Sequence, residues 1–272
     1  MTRDAAEQGS TTRSVRVVAL LDRTSDRTDL GSQGAEALAR GLAKRAGTKP
    51  ALQGTPGQAR EGGWEDDLDQ ARESLIGAGQ TLHEILTSDG YPVLLASDCT
   101  IALGTLPALA DVRPDAWVLW IDAHGDFNSP DTTLSGFLGG MCLAGACGVW
   151  ETGLGTGPEA SQVVICGARD LDPDERNLLR THAVELLEPR DAVARLEGRP
   201  VFVHVDLDVL DPSVVPGASF PVPGGMEEEE LEALLRDVMA AADVIGCEVT
   251  ALTAPELAGR IADAVQPLVG RR

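Results

Sequence analysis

Seven short apolar runs, too short for buried helices and rich in the β-branched residues that suit strands, set the fold class of this chain. They are VRVVALL (15–21), YPVLLA (91–96), AWVLWI (116–121), QVVICGA (162–168), AVELL (183–187), VFVHV (201–205) and DVIGCEVT (243–250). Segments of helical period lie between them, at about 31–46, 67–87, 100–109, 174–182, 228–242 and 255–268. Strands that are apolar throughout and alternate with helices belong in a parallel sheet covered on both faces. ALQGTPGQAREGG (51–63) and ETGLGTGPEA (151–160) read as surface loops, and no repeat or linker interrupts the pattern. The GLGTG of the second loop follows CGVW and not a strand, and it lacks the full GxGxxG spacing of a phosphate-binding turn. The 272 residues are read as one α/β domain, with residues 1–13 as a disordered tail.

Composition narrows the partners. A formal charge of −21 and 3% aromatic residues argue against nucleic acid, whose phosphates would be repelled and whose bases would find little to stack on. The same charge favours metal ions or a basic small molecule. The five cysteines, at 99, 142, 147, 166 and 247, form no CxxC pair and suit a reducing compartment. Residues 1–14 lack the apolar core of a signal peptide, and no apolar run approaches the roughly 20 residues of a membrane span. A soluble, cytoplasmic protein is expected, with no membrane partner and compatible with a homo-oligomer.

In open parallel sheets, ligands bind beyond the C-terminal ends of the strands. Three of the apolar runs carry acids there: ASDCT (96–100), DAHGDFN (122–128) and HVDLDVLDP (204–212). They gather Asp98, Asp122, His124, Asp126, Asp206, Asp208 and Asp211 at one sheet edge. Residues two apart point the same way where a strand ends, so DxHxD and DxD each present several groups to one point. Carboxylates so crowded repel one another unless a cation lies between them, and this donor set suits a pair of hard divalent ions. Helix capping accounts for one Asp per loop, not for three in DLDVLD.

These motifs resemble those of the arginase, or ureohydrolase, family. DAHGDFN matches its DAHxDxN motif and DLDVLDP its DxDxxDP motif, while ASDCT falls on GGDHS, with IALGTLP after it. The likeness runs over about residues 90–255. It implies a three-layer α/β/α domain with a mostly parallel sheet of about eight strands, and two manganese ions per chain. One ion would take Cys99, Asp122, Asp126 and Asp206, the other Asp122, His124, Asp206 and Asp208. The family hydrolyses the C–N bond of linear guanidines and amidines. Asp126 would orient the attacking water and pass its proton to the leaving amine. Asp172 and Glu175, in RDLDPDE (169–175), would receive an α-ammonium group, although the same residues make a good helix start. Asn128 and Ser135 would hold the α-carboxylate, so the implied ligand is a cationic, amino-acid-like small molecule.

Three positions depart from the family pattern. Cys99 stands where a histidine ligand is expected, and a thiolate is softer than manganese prefers, which makes zinc or iron the alternatives. Gly139 stands where arginases carry a proton-shuttling histidine, and Ala251 where they carry a glutamate that pairs with the guanidinium. Glu248 lies near, but strand parity turns it away from position 251. A hydroxyguanidine, with its lower pKa, needs less of that help. LGGMCLAGACGVW (138–150) is similar to the branch of the family that hydrolyses Nω-hydroxy-L-arginine. The leading expectation is a metal-dependent hydrolase of such an arginine derivative, giving ornithine and urea or hydroxyurea. An agmatinase- or formimidoyl-type hydrolase is the second reading, and a catalytically silent binding relative the third. His83, His182 and His204 are read as structural, and Trp120 and the other four cysteines as packing.

Overall fold

The structure, a computed structural model, describes residues 13–270. The disordered tail expected over 1–13 lies, but for Arg13, outside the described residues. One sheet holds β1 (Ser14–Leu20), β2 (Ala51–Gln53), β3 (Gly90–Leu95), β4 (Trp117–Ile121), β5 (Val163–Cys166), β6 (Glu185–Leu186), β7 (Pro200–Asp206) and β8 (Asp243–Thr250). The strand order is β2-β1-β3-β8-β7-β4-β5-β6, and every pairing is parallel. The strands expected to carry the acids, β3, β7 and β4, are therefore central, and their C-terminal ends open on one edge.

Among the described residues, eight α-helices cover the sheet: α1 (Leu30–Ala46), α2 (Trp64–Thr87), α3 (Ala102–Val112), α4 (Cys142–Ala146), α5 (Pro173–Thr181), α6 (Pro189–Leu196), α7 (Glu228–Ala241) and α8 (Ala258–Ala264). On one face, Leu38 and Leu42 of α1, Leu235 of α7 and Ile261 of α8 pack with Ile121, Val203 and Cys247. On the other, Leu75 and Leu82 of α2 and Leu103 and Leu106 of α3 pack with Leu94, Trp120 and Phe202. Alternate residues of each central strand thus serve opposite cores, which is why the runs are apolar throughout. Each fully buried leucine stabilises the fold by about 2 kcal/mol relative to exposure. α2 and α3 meet backbone to backbone at Gly104, where a Cβ would stand 2.0 Å from the Leu75 carbonyl oxygen. Among the described residues, no helix is long and apolar enough to cross a membrane.

Two strands and two short helices depart from expectation. Residues 51–63, read as a loop, begin with β2, a three-residue edge strand whose ALQ carries no apolar run to betray it. The strand expected over 183–187 shrinks to the two residues of β6. α4 and α6 also went unforeseen, each being too short to display a helical period.

Candidate active site

The three acidic stretches converge as turns that use their own backbone. At the end of β4, Asp122 Oδ1 accepts the His124 N–H at 2.7 Å; at the end of β7, Asp206 Oδ1 accepts the Asp208 N–H at 2.7 Å. Each turn leaves the other carboxylate oxygen pointing inward. Asp122 Oδ2 accepts the Trp120 indole N–H at 2.9 Å, and Asp206 Oδ2 accepts the Cys99 thiol at 2.8 Å. Cys99 opens a single 3-10 turn after β3. Asp126 has the left-handed φ of 48°, and its carbonyl oxygen receives the N–H groups of Leu143 and Ala144 in α4. A cavity of about 220 Å³ results, lined by Cys99, Asp122, His124, Asp126, Asp206 and Asp208 and, farther out, by Asn128, Ser135, Asp172 and Glu175.

The electrostatics are those of a site built around added positive charge. Burial, then the neighbouring Asp122, pushes the Asp126 carboxyl well above its ordinary range. Burial and Asp208 raise Asp206 to about 7, and burial and Asp122 raise Asp208. Cys99 is held as a thiol by burial and by the carboxylates of Asp206, Asp126 and Asp122. For His124, burial lowers the pKa, but bonds to Asp122 and Asp208 outweigh it and hold the imidazolium to about 12. Its Nδ1 lies 3.4 Å from Asp122 Oδ1 and 3.1 Å from Asp208 Oδ2. Ligand atoms of Asp122, His124 and Asp208 fall within 4.8 Å of one another, as do those of Cys99, Asp122 and His204. Buried carboxylates in this excess over cationic side chains fit divalent ions in chemistry and spacing.

Two acids of the expected cluster lie outside it, and three residues read as structural or packing border it. Asp98 is spent on Thr24, Ser25 and Thr100, and Asp211 on the backbone of Ser213, Gly224 and Gly225, so neither belongs to the ligand cluster. His204, read as structural, points its Nε2 at Cys99 Sγ, 3.1 Å away, and Trp120, read as packing, stacks on the His204 ring with centroids 3.4 Å apart. Glu248 does face away from position 251, toward His204 Nδ1 at 2.8 Å. Cys142, read as core, is buried and also meets Asp126 Oδ2 at 3.7 Å. The signal for His204 and Trp120 was present: each lies two residues before a site aspartate on the same strand face.

At the outer wall, the 172–175 turn starts a helix and also borders the cavity. Glu175 is 4% exposed and accepts the N–H groups of Phe127 and Asp172 as a helix cap, yet it and Asp172 line the cavity. Burial raises Glu175 to about 7. Asn128 Oδ1 accepts the Thr132 hydroxyl, and Ser135 Oγ the Phe137 N–H. Another part of the lining had no sequence signal: Arg27 lies over the rings of Phe137 and Phe220, 4.9 and 5.5 Å from their centroids. Gly139 and Ala251 both line the cavity, and neither offers a polar side chain to it.

A sequence model of the arginase family matches residues 64–264. The chain belongs to the arginase family. Its relatives include the N(omega)-hydroxy-L-arginine amidinohydrolase of Streptomyces lavendulae, 40% identical over 89% of this chain and 90% of that one. The arginase of Brevibacillus brevis is 34% identical over 66% of each chain. In fold, this arginase-family chain is similar to the crystal structure of arginase from Bacillus cereus, with a TM-score of 0.83 and 24% identity, covering 96% of this chain and 99% of that one. The eight-stranded α/β/α architecture is thus that of the family.

Proposed function

We propose that this chain is a metal-dependent hydrolase that splits the C–N bond of an α-amino acid bearing a linear, hydroxylated guanidino group. Nω-hydroxy-L-arginine is the substrate of this reading, and ornithine and hydroxyurea are its products. The observation that carries it is a contrast inside one cavity. The array of Asp122, His124, Asp126, Asp206 and Asp208 is whole, while Gly139 and Ala251 leave the reacting end without a shuttle imidazole or a clamping carboxylate. A cationic guanidinium would lie there without a buried partner, at a cost of several kcal/mol. A hydroxyguanidine has a lower pKa and enters without one. The Streptomyces lavendulae relative is named for the same compound.

Divalent ions held by the carboxylates, His124 and Cys99 supply, when bound, an acidified water and positive charge at the reacting carbon. Manganese suits the oxygen-rich group of Asp122, His124 and Asp208. The chain's own residues do the rest. Asp126 accepts a proton from the attacking water and returns it to the leaving nitrogen as the C–N bond breaks. Asp172 and Glu175 receive the α-ammonium group, and Asn128 and Ser135 the α-carboxylate. Five free thiols suit work in a reducing cytoplasm.

The test is turnover by the manganese-loaded protein of Nω-hydroxy-L-arginine, L-arginine, agmatine and N-formimidoyl-L-glutamate, with amine products identified by mass spectrometry. Ornithine from the hydroxylated substrate at the highest kcat/KM is expected, with a raised KM in Asp172→Ala. Preference for agmatine, which lacks the carboxylate, would move the reading to an agmatinase type. Ion binding without turnover of any of the four would leave a silent relative.

A further inference from the structure

We propose that His204 supplies the imidazole that position 99 lacks, so that Cys99, His204 and Asp122 hold a zinc-class ion on the sheet side of the cavity. The inference rests on the metal-dependent reading above and assigns to one of its two positions a donor set of its own. Cys99 Sγ lies 3.1 Å from His204 Nε2, 2.8 Å from Asp206 Oδ2 and 3.9 Å from Asp122 Oδ2. Ligand atoms of Cys99, Asp122 and His204 all lie within 4.8 Å of one another, close to the donor spacing of about 3.3–3.8 Å around a tetrahedral ion, and Asp206 is hydrogen-bonded to the thiol beside them.

The imidazole is fixed as a ligand must be. Its Nδ1 is 2.8 Å from Glu248 Oε1, and the Thr105 hydroxyl donates to Glu248 Oε2 at 2.8 Å. In the tautomer that donates from Nδ1 to Glu248 Oε1, the Nε2 lone pair faces the thiol. Trp120 lies parallel to the ring, at an interplanar angle of 2°, and its indole N–H orients Asp122. Thr105, Trp120, His204 and Glu248 are all 0% exposed, so water cannot satisfy or reorient the group. A carboxylate behind one ring nitrogen, with the other nitrogen turned to a second donor, is the support that metal-bound histidines receive.

Thiolate and imidazole donors favour zinc, ferrous iron or cobalt over manganese, whereas the Asp122, His124 and Asp208 group keeps the oxygen-rich set. The cavity therefore presents two unlike positions that share Asp122.

The experiment titrates the metal-free, full-length protein with cobalt(II) and reads the thiolate-to-cobalt charge-transfer and d–d absorption. Wild type is expected to show the thiolate band with the intense d–d absorption of a four-coordinate ion. His204→Gln is expected to lower cobalt affinity by more than about 100-fold, and Glu248→Gln, the loss of a supporting partner, by roughly 10–100-fold. A thiolate band absent from wild type, or an unchanged affinity in folded His204→Gln, overturns the proposal. Should His204→Gln fail to fold, one equivalent of zinc in His124→Gln, measured by X-ray absorption, decides. One sulfur and one imidazole support the assignment, and a shell without imidazole overturns it. These readouts need no turnover, so unchanged spectra in an active hydrolase refute this inference alone, and expected spectra in an inactive protein refute only the hydrolase reading.

Discussion

The Phe137 ring occupies the space that a side chain at position 139 would need: a Cβ on Gly139 would come within 2.4 Å of Phe137 Cε1. The ring cannot swing freely, because it tilts against Phe220 with centroids 5.1 Å apart and carries the Arg27 guanidinium. Gly139→Ala is expected to push Phe137 from this wall and raise KM for the hydroxylated substrate several-fold, at a stability change of about 1 kcal/mol. Gly139→His should be tolerated only together with Phe137→Ala. Steady-state kinetics and thermal midpoints of the three variants check this. A Gly139→His protein with wild-type KM and midpoint would mean that the ring is not in the way.

Asp126 is the residue whose removal should separate chemistry from folding. Its φ of 48° is one that Asn tolerates, and its carboxyl is buried among Asp122, Asp206 and Asp208. Asp126→Asn keeps the turn and removes an acid whose ionisation burial and Asp122 oppose, so the metal-free protein should be no less stable than wild type. Proton transfer is lost, and kcat is expected to fall by about 10²–10⁴-fold. Denaturant titration beside kcat measurement tests the pair of outcomes; a variant retaining most of its kcat would remove Asp126 from the proton path.

How much of this was legible in the sequence follows from how local each rule is. The acids at 122, 126, 206 and 208 came from alternation within single stretches, and the apolar runs from burial on both sheet faces. His204 and Trp120 obey the same alternation, but their meaning depends on register. Trp120 pairs with His204 across β4 and β7, and His204 with Glu248 across β7 and β8, which no one stretch contains. Asp98 and Asp211 stand where ligands could stand, yet local hydroxyl and N–H groups consume their oxygens. The glycine at 139 has a reason only once the Phe137 ring is placed.

A second buried acid makes stability depend on pH. Burial and the Asp98 carboxylate raise Asp26 to about 7, and its Oδ2 accepts from Ser97 Oγ at 2.7 Å and from the Thr24 N–H at 3.1 Å. The folded state therefore keeps a proton that the unfolded chain releases above its pKa of about 3.9. Stability from this group falls as pH rises from about 4 to about 7, then levels, with a slope of up to about 1.4 kcal/mol per pH unit. Asp26→Asn keeps the acceptor and removes the titration. Its advantage over wild type, read from urea unfolding of metal-free protein, should be absent near pH 4 and grow toward pH 7. Parallel pH profiles would show that Asp26 does not hold the proton.

On the proposed reading, Ala251 decides which guanidine the cavity accepts. It follows β8 with a φ of 64° and lines the cavity, while Glu248, three residues earlier, is committed to His204. No acid from this strand therefore faces the reacting group. Ala251→Glu adds a carboxylate without adding backbone strain, since alanine already bears the Cβ at this φ. A bond from a cationic guanidinium to it is worth about 1.5–3 kcal/mol, so kcat/KM for L-arginine relative to Nω-hydroxy-L-arginine should rise about tenfold or more. The neutral hydroxyguanidine gains less, so the ratio is the quantity to measure, in competition with both substrates present. If Ala251→Glu folds and the ratio does not move, the missing carboxylate is not what sets the substrate.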